Sequence, residues 1–437
     1  MRILFATYSE KTHFFSMVPL AWALRTAGHE VRVASQPEIV DTITSTGLTA
    51  VSVGQDHSVN RILEAFPRLQ ERVADGQLDP FIRADEPEED LSWEYVRDNY
   101  DSVVLSWFRL MNNPMLDDLV SFCRSWRPDL VIWEPGTFAA PIAAKACGAA
   151  HARLMWCVDF YGRMREMYVR RRRVEQGPDG PPDSLARWMD HSARRYGVRF
   201  DEEMTRGQFT IDQLPPSMHM DTGVDRYPVR YTAYNGRSVI PEWLRAPAGD
   251  RPRVCLTLGV TATERLSGYS VSVPEILDSL SGMDAEIIAT VAEKEQRRLG
   301  PLPDNVRVER FVPLQALLPT CDAVIHHGGF GTTFTTLVSG VPQVSIPQQL
   351  DTPFTARRIA ARGASIHLDK REATGERVRA SVERVLTDPS YARNSRLLRD
   401  EILAQPSPNE FAEGVEELVR RYRTSPGRRT ADLSGRP

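Results

Sequence analysis

The chain reads as an α/β protein of two doubly wound, Rossmann-like domains. Three observations predict this. Residues 2–53 run strand, helix, strand, helix, strand, with Gly28 and Gly47 at the helix stops. A Pro-rich irregular stretch from Pro215 to Pro252 interrupts the chain near its middle. Beyond it the alternation of short apolar runs and helical patterns resumes, and 437 residues are enough for two such units.

In order, residues 2–8 (RILFATY) read as a buried parallel strand. Pro19–Ala27 has apolar residues at helical spacing, Glu30–Ser35 is a second strand, Glu38–Thr46 a second helix and Leu48–Val53 a third strand. The loop Ser9–His13 then lies at the carboxyl end of the first strand, where open α/β sheets place ligands. The acidic, Pro-containing segment 75–92 is expected to be a mobile loop. Trp93–Phe122 follows with helical spacing. Its stripe, which includes Trp93, Trp107, Phe108 and Met111, fits either a core face or the wall of a pocket for a flat, apolar ligand. Asp129–Trp133 is a further strand with Glu134 at its carboxyl end, and Ala139–Ala146 a small-residue helix. Arg170–Arg173 reads as a solvated helix end. In the second half, strands are expected at 253–258, 285–291, 306–312, 323–327, 343–346 and 364–368. These limits give a first domain over 1–215, a linker over 216–250, a second domain over 251–405, a last helix over 406–423 and a disordered tail over 424–437.

Most of the chemistry lies between His326 and Asp351, HHGGFGTTFTTLVSGVPQVSIPQQLD. A strand ends at Ile325, and Thr332–Ser339 reads as a helix stopped by Gly340. Gly328, Gly329 and Gly331 therefore occupy a tight strand-to-helix turn whose backbone N–H groups point outward. The helix dipole adds partial positive charge, and Thr332 and Thr333 add hydroxyl donors, a combination that holds a phosphate or diphosphate. Asp351, past the next strand, is placed to accept hydrogen bonds from sugar hydroxyls. The ligand expected is a nucleotide carrying a sugar. Two other readings stay open: a dehydrogenase, since Gly329–Phe334 resembles a dinucleotide fingerprint with Asp351 at the ribose-binding offset, and a nucleotide-sugar-binding module without chemistry. The His326–His327 pair is not a metal site, because neighbours on a strand point to opposite faces.

This segment resembles the donor-binding signature of family 1 nucleotide-sugar-dependent glycosyltransferases with the two-Rossmann-domain (GT-B) fold. It is especially similar to the actinobacterial branch that glycosylates polyketide antibiotics. The opening HFFSMVPLAWALRTAGHEVRVASQP resembles that branch equally well. The resemblance implies that His13 is a general base oriented by Glu134, where relatives carry mostly Asp. It implies that His327, Gly328, Gly329, Gly331, Thr332, Thr333, Asp351 and Thr352 bind the donor, with Gly259 and Thr261 in the same cleft and Val312 and Leu317 near a pyrimidine base. Thr12 stands where many members have glycine, and Thr352 where many glucose-transferring relatives have glutamine. One fewer long polar side chain fits a dTDP-deoxysugar. The implied reaction is a single inverting displacement onto a macrolide or anthracycline-type polyketide aglycone, with no cofactor and no metal. Several members of the branch use an auxiliary protein docked on the N-terminal domain, a homodimer is left open, and the last helix crosses back to the first domain.

Composition narrows the alternatives. A net charge of −4 offers no general attraction to nucleic acid or membrane. Five cysteines without CxxC spacing indicate neither a disulfide frame nor a zinc site. Residue 2 enters a strand without a basic-then-apolar leader, and no run of about 18 apolar residues occurs. A cytoplasmic protein is expected.

Overall fold

The computed structural model describes residues 1–74, 81–177, 180, 183–247, 249–259, 269, 271–348 and 350–423. Two parallel sheets organise the chain. The first holds β1 (Arg2–Ala6), β2 (Glu30–Ser35), β3 (Thr49–Ser52), β4 (Leu130–Trp133), β5 (Ala150–Met155), β6 (Phe209–Asp212) and β7 (Arg226–Pro228), in the order β3-β2-β1-β4-β5-β6-β7. The second holds β8 (Arg253–Thr257), β9 (Glu286–Thr290), β10 (Val306–Glu309), β11 (Ala323–His326), β12 (Gln343–Ser345) and β13 (Ser365–His367), in the order β10-β9-β8-β11-β12-β13. Each sheet winds outward to one edge and then returns to build the other. The reversal falls between β1 and β4 in the first sheet and between β8 and β11 in the second, and a crevice opens at such points.

Both faces of the first sheet are covered, as an all-parallel sheet requires. Leu4 and Ala6 of β1 point into one core while Ile3 and Phe5 point into the other. The second of these cores is closed by the Pro408–Arg423 helix through Phe411, Ala412, Val415 and Val419. Tyr422 of that helix stacks on Phe209, ring centroids 4.8 Å apart, and Arg423 pairs with Asp129 at 2.7 Å. The last helix therefore belongs to the first sheet in space, although it follows the second sheet in sequence.

Several elements differ from the sequence reading, each for a local reason. The first helix runs from Lys11 to Thr26, with Pro19 inside it, because the Glu10 carboxylate accepts from the Thr12 N–H at 3.2 Å and caps it early. His13 thus sits in a first helical turn and not in a loop. The Pro-rich stretch contributes β7, which pairs with β6 as the seventh strand, so it is not wholly a linker. Residues 81–92 are tied down. The Arg83 guanidinium donates to Glu86, Arg163 donates to the carbonyls of Ala84 and Glu86, and Arg358 Nη1 donates to Asp85 at 2.6 Å. Arg170 and Arg171 of the basic run pair with Glu88 and with the Leu91 carbonyl, so that run holds the acidic segment. Residues 75–80 and the tail 424–437 lie outside the described residues.

The second sheet is pinned at its switch point by His326, which is fully buried. Its Nε2–H donates to Gln343 Oε1 at 2.8 Å, and Nδ1 accepts from the Gly328 N–H at 3.0 Å. The side chain joins β11 to β12 and fixes the turn that follows.

Two predictions follow from the packing. Phe411→Ala removes a ring from the closed core and is expected to cost about 3 kcal/mol, read as a lower unfolding midpoint; an unchanged midpoint would show the last helix to be dispensable. Burial pushes the His326 pKa down to about 4 from 6.5. The unfolded chain then takes the proton first, so the stability this histidine contributes is whole above about pH 6.5 and is lost as pH falls toward 4. His326→Gln, which cannot be protonated, should show a shallower decline of its midpoint over that window; parallel declines would exclude His326 as a source.

Candidate active site

Strands β1 and β4 lie side by side, with Ala6 opposite Trp133. Their carboxyl ends bring together the Lys11–Thr26 helix and Glu134. His13 Nδ1 lies 3.3 Å from Glu134 Oε2, an ion-pair distance without hydrogen-bond alignment. The longer acidic side chain therefore still reaches the imidazole. Glu134 is fully buried, and its carboxylate is held by the Gly136 N–H at 3.0 Å, the Trp156 Nε1–H at 3.3 Å and the Thr137 hydroxyl. A buried carboxylate needs such donors, since an unpaired one is prohibitively costly. Trp156 also stacks on the His13 ring, centroids 3.9 Å apart, and Tyr8 meets that ring in a T-shaped contact at 5.3 Å.

Across the cleft, β11 runs into the Phe330–Ser339 helix through His327, Gly328 and Gly329. Gly329 is the N-cap and no side chain among the described residues caps this helix, so its first amides carry the positive end of the dipole toward the cleft. Gly331 and Thr332 line that end. Gly328 takes a left-handed φ of +86°, and a Cβ on Gly329 would stand 2.4 Å from His327 Nε2. A Cβ on Gly259, at the end of β8, would meet the same ring at 2.6 Å. The His327 imidazole is clamped between two bare backbones, which no larger residue permits. Burial pushes its pKa down to about 4, opposed by a backbone hydrogen bond at Thr257, so the ring is neutral at neutral pH. At the far rim Leu350 holds a left-handed φ of +57°, uncommon for a bulky residue. Asp351 is buried and begins the Thr352–Ala361 helix, and Thr352 Oγ1 accepts from the Gln348 N–H at 3.2 Å.

The His13 imidazole and the donor turn open onto one cleft of about 320 Å³. His13 and Trp156 stand on the first-sheet side, and Gly259, Val312, His327, Gly329, Gly331, Thr332, Asp351 and Thr352 on the second. The connecting segment adds Tyr231, Tyr234 and Asn235. Among the described residues no group of three or more His, Cys, Asp or Glu side chains is arranged to hold a metal ion.

Other expected residues lie elsewhere. Thr261 falls outside the described residues. Leu317 is fully buried in the core beneath the Val312 loop and does not reach the cleft. Thr333 turns inward, its hydroxyl buried, because it lies on the packed face of its helix. Gly328 is buried behind the turn it shapes. Trp93, Phe108 and Met111 belong to the first domain's core, with Trp107 packed against it. Helical spacing of large apolar residues serves packing there, and none of the four lines this cleft. Trp156 escapes the sequence pattern because β5 does: His151 and Arg153 interrupt its apolar run, yet both are buried.

The chain matches two family models, the erythromycin biosynthesis protein CIII-like N-terminal domain over residues 22–259 and the corresponding C-terminal domain over 274–418. It is 43% identical to the 10-deoxymethynolide desosaminyltransferase of Streptomyces venezuelae, over 98% of this chain and 99% of that one. It is 42% identical to the aclacinomycin-T 2-deoxy-L-fucose transferase of Streptomyces galilaeus, over 98% of each. Among solved structures, glycosyltransferase VinC in complex with dTDP superposes with a TM-score of 0.85 at 37% identity, covering 96% of this chain and 100% of VinC. The spinosyn forosaminyltransferase SpnP follows at 0.78 and 36%, covering 96% and 99%. The dehydrogenase alternative is thereby set aside. The chain belongs to the erythromycin biosynthesis protein CIII-like family and is a glycosyltransferase with the GT-B fold.

Proposed function

We propose that the chain transfers a deoxysugar from a dTDP-sugar to a hydroxyl of a macrolide or anthracycline-type polyketide aglycone, inverting the anomeric carbon. One observation carries the reading: an imidazole backed by a buried carboxylate shares a single cleft with an uncapped helix N-terminus on the opposite sheet. The names of the relatives support the deoxysugar and the aglycone, and the dTDP bound to VinC supports the nucleotide.

The diphosphate lies against the Gly331 and Thr332 amides and the Thr332 hydroxyl, beside His327. These donors offset the negative charge that builds on the leaving group. An anion next to the neutral His327 ring also favours its protonation, adding a charge-assisted hydrogen bond as the group departs. Asp351 accepts from sugar hydroxyls. His13, with Nδ1 turned to Glu134, presents Nε2 to the acceptor hydroxyl and removes its proton as the oxygen attacks the anomeric carbon. The aglycone rests against the aromatic walls formed by Trp156, Phe15 and Tyr234. An auxiliary protein and a homodimer belong to the same proposal. No metal is assigned a part in it.

The first assay pairs dTDP-desosamine with 10-deoxymethynolide and reads dTDP release and product mass. His13→Ala is expected to lower turnover by about 10²–10⁴-fold while dTDP affinity stays within twofold; lost dTDP affinity with turnover intact would refute the base assignment. His327→Ala should weaken dTDP binding by about tenfold in calorimetry, the worth of one hydrogen bond to a charged group. Unchanged affinity would count against its phosphate role.

A further inference from the structure

Resting on the reading of His13 as base, we propose that Trp156 is a positioning residue that holds the His13–Glu134 pair in register and supports the imidazolium through its indole face. Strand order brings the three residues together. His13 follows β1, Glu134 follows β4 and Trp156 follows β5, three adjacent strands of the first sheet. Two contacts by one side chain then act on both partners. The indole Nε1–H donates to Glu134 Oε2 at 3.3 Å, the same oxygen that stands 3.3 Å from His13 Nδ1. The indole face lies 3.9 Å from the imidazole, tilted by 33°.

The chemistry needs both contacts. When His13 Nε2 takes the acceptor proton, the acceptor oxygen bonds to the anomeric carbon and the carbon–phosphate oxygen bond breaks, its electron pair leaving with the diphosphate. The ring becomes a cation at that moment. An aromatic face stabilises a desolvated cation, and Trp is the best of the aromatic residues at this. Its N–H meanwhile joins the Gly136 N–H in holding Oε2, 3.3 Å from Nδ1, and the Thr137 hydroxyl fixes Oε1. Without the indole, the imidazole would lose one wall and could rotate away from Glu134. A tryptophan that served only as core would face neither group. This one is 8% exposed and lines the cleft.

The test uses the full chain, dTDP-desosamine and 10-deoxymethynolide, with Trp156→Leu and Trp156→Phe each made in the parent and in His13→Ala. Trp156→Leu is expected to lower kcat about 30-fold with donor KM within twofold, the size of a desolvated cation–aromatic contact. Trp156→Phe, which keeps an aromatic face but loses the N–H, should fall in between. In the His13→Ala background neither change should lower the residual rate further, since the residue acts through the imidazole. Equal losses in both backgrounds, or a raised KM with kcat intact, would show Trp156 to be only a wall of the cleft. Parental turnover in Trp156→Leu beside a crippled His13→Ala would overturn this proposal alone. Parental turnover in His13→Ala would overturn the base reading and this proposal with it.

Discussion

The constraint on which this structure depends is the reversal of strand order in each parallel sheet. A chain that adds strands outward on one side and then returns must leave a crevice where the two directions part. Here that happens twice, between β1 and β4 and between β8 and β11. Every group that matters chemically leaves a strand bordering one of these crevices or its next neighbour. His13 comes after β1, Glu134 after β4 and Trp156 after β5. Gly259 comes after β8 and His327 after β11. Neither site is assembled by loops alone, so the positions of the reacting groups are inherited from hydrogen-bonded ladders.

The two crevices make opposite electrostatic demands and meet them by different means. The first sheet must keep a carboxylate buried, and it supplies a ring of donors from Gly136, Thr137 and Trp156 to do so. The second must attract an anion, and it offers unsatisfied amides at a helix start. His327 fits this scheme because it is neutral when the site is empty. A permanently charged residue clamped between the backbones of Gly259 and Gly329 would carry a desolvation penalty that no ion pair among the described residues offsets.

Much of this was legible in sequence. Glycines 328, 329 and 331, Thr332 and Asp351 lie where the pattern of strand, turn and helix puts them, because local periodicity and turn chemistry decide that geometry, whereas Thr333 falls on the packed face of its helix. The His13–Glu134 approach was legible too, since both residues follow strands that a βαβ rhythm identifies. What failed were inferences needing three-dimensional context. Trp93, Phe108 and Met111 satisfy the same spacing whether a helix faces a core or a ligand, and here the core claims them. Strand β5 hid behind His151 and Arg153, and burial tolerates the guanidinium because the fold supplies a partner. Arg153 donates to Asp159 at 3.0 Å and 2.6 Å, an ion pair no local pattern announces. Strand β7 hid inside a Pro-rich stretch because it is an edge strand, where Pro228 costs little.

The two halves must also hold a fixed relation, or a base on one sheet and a diphosphate on the other would rarely meet. The core does not stop at the domain junction. Phe334, Leu337 and Phe354 of the second half are buried in the same cluster as Leu4, Trp133 and Trp156 of the first. Phe160 and Phe354 pack with centroids 5.5 Å apart. Tyr231, from the connecting segment, donates to the Gly331 carbonyl at 3.1 Å, meets the Thr335 hydroxyl at 3.0 Å and packs edge-on to Phe330. Gly331 is thus held from behind by its carbonyl while its N–H end faces the cleft. The segment that links the sheets also sets the angle at which the anion-binding helix addresses His13. A change at Tyr231 therefore acts on the donor turn through its backbone, although this side chain needs no bond to either substrate to do so.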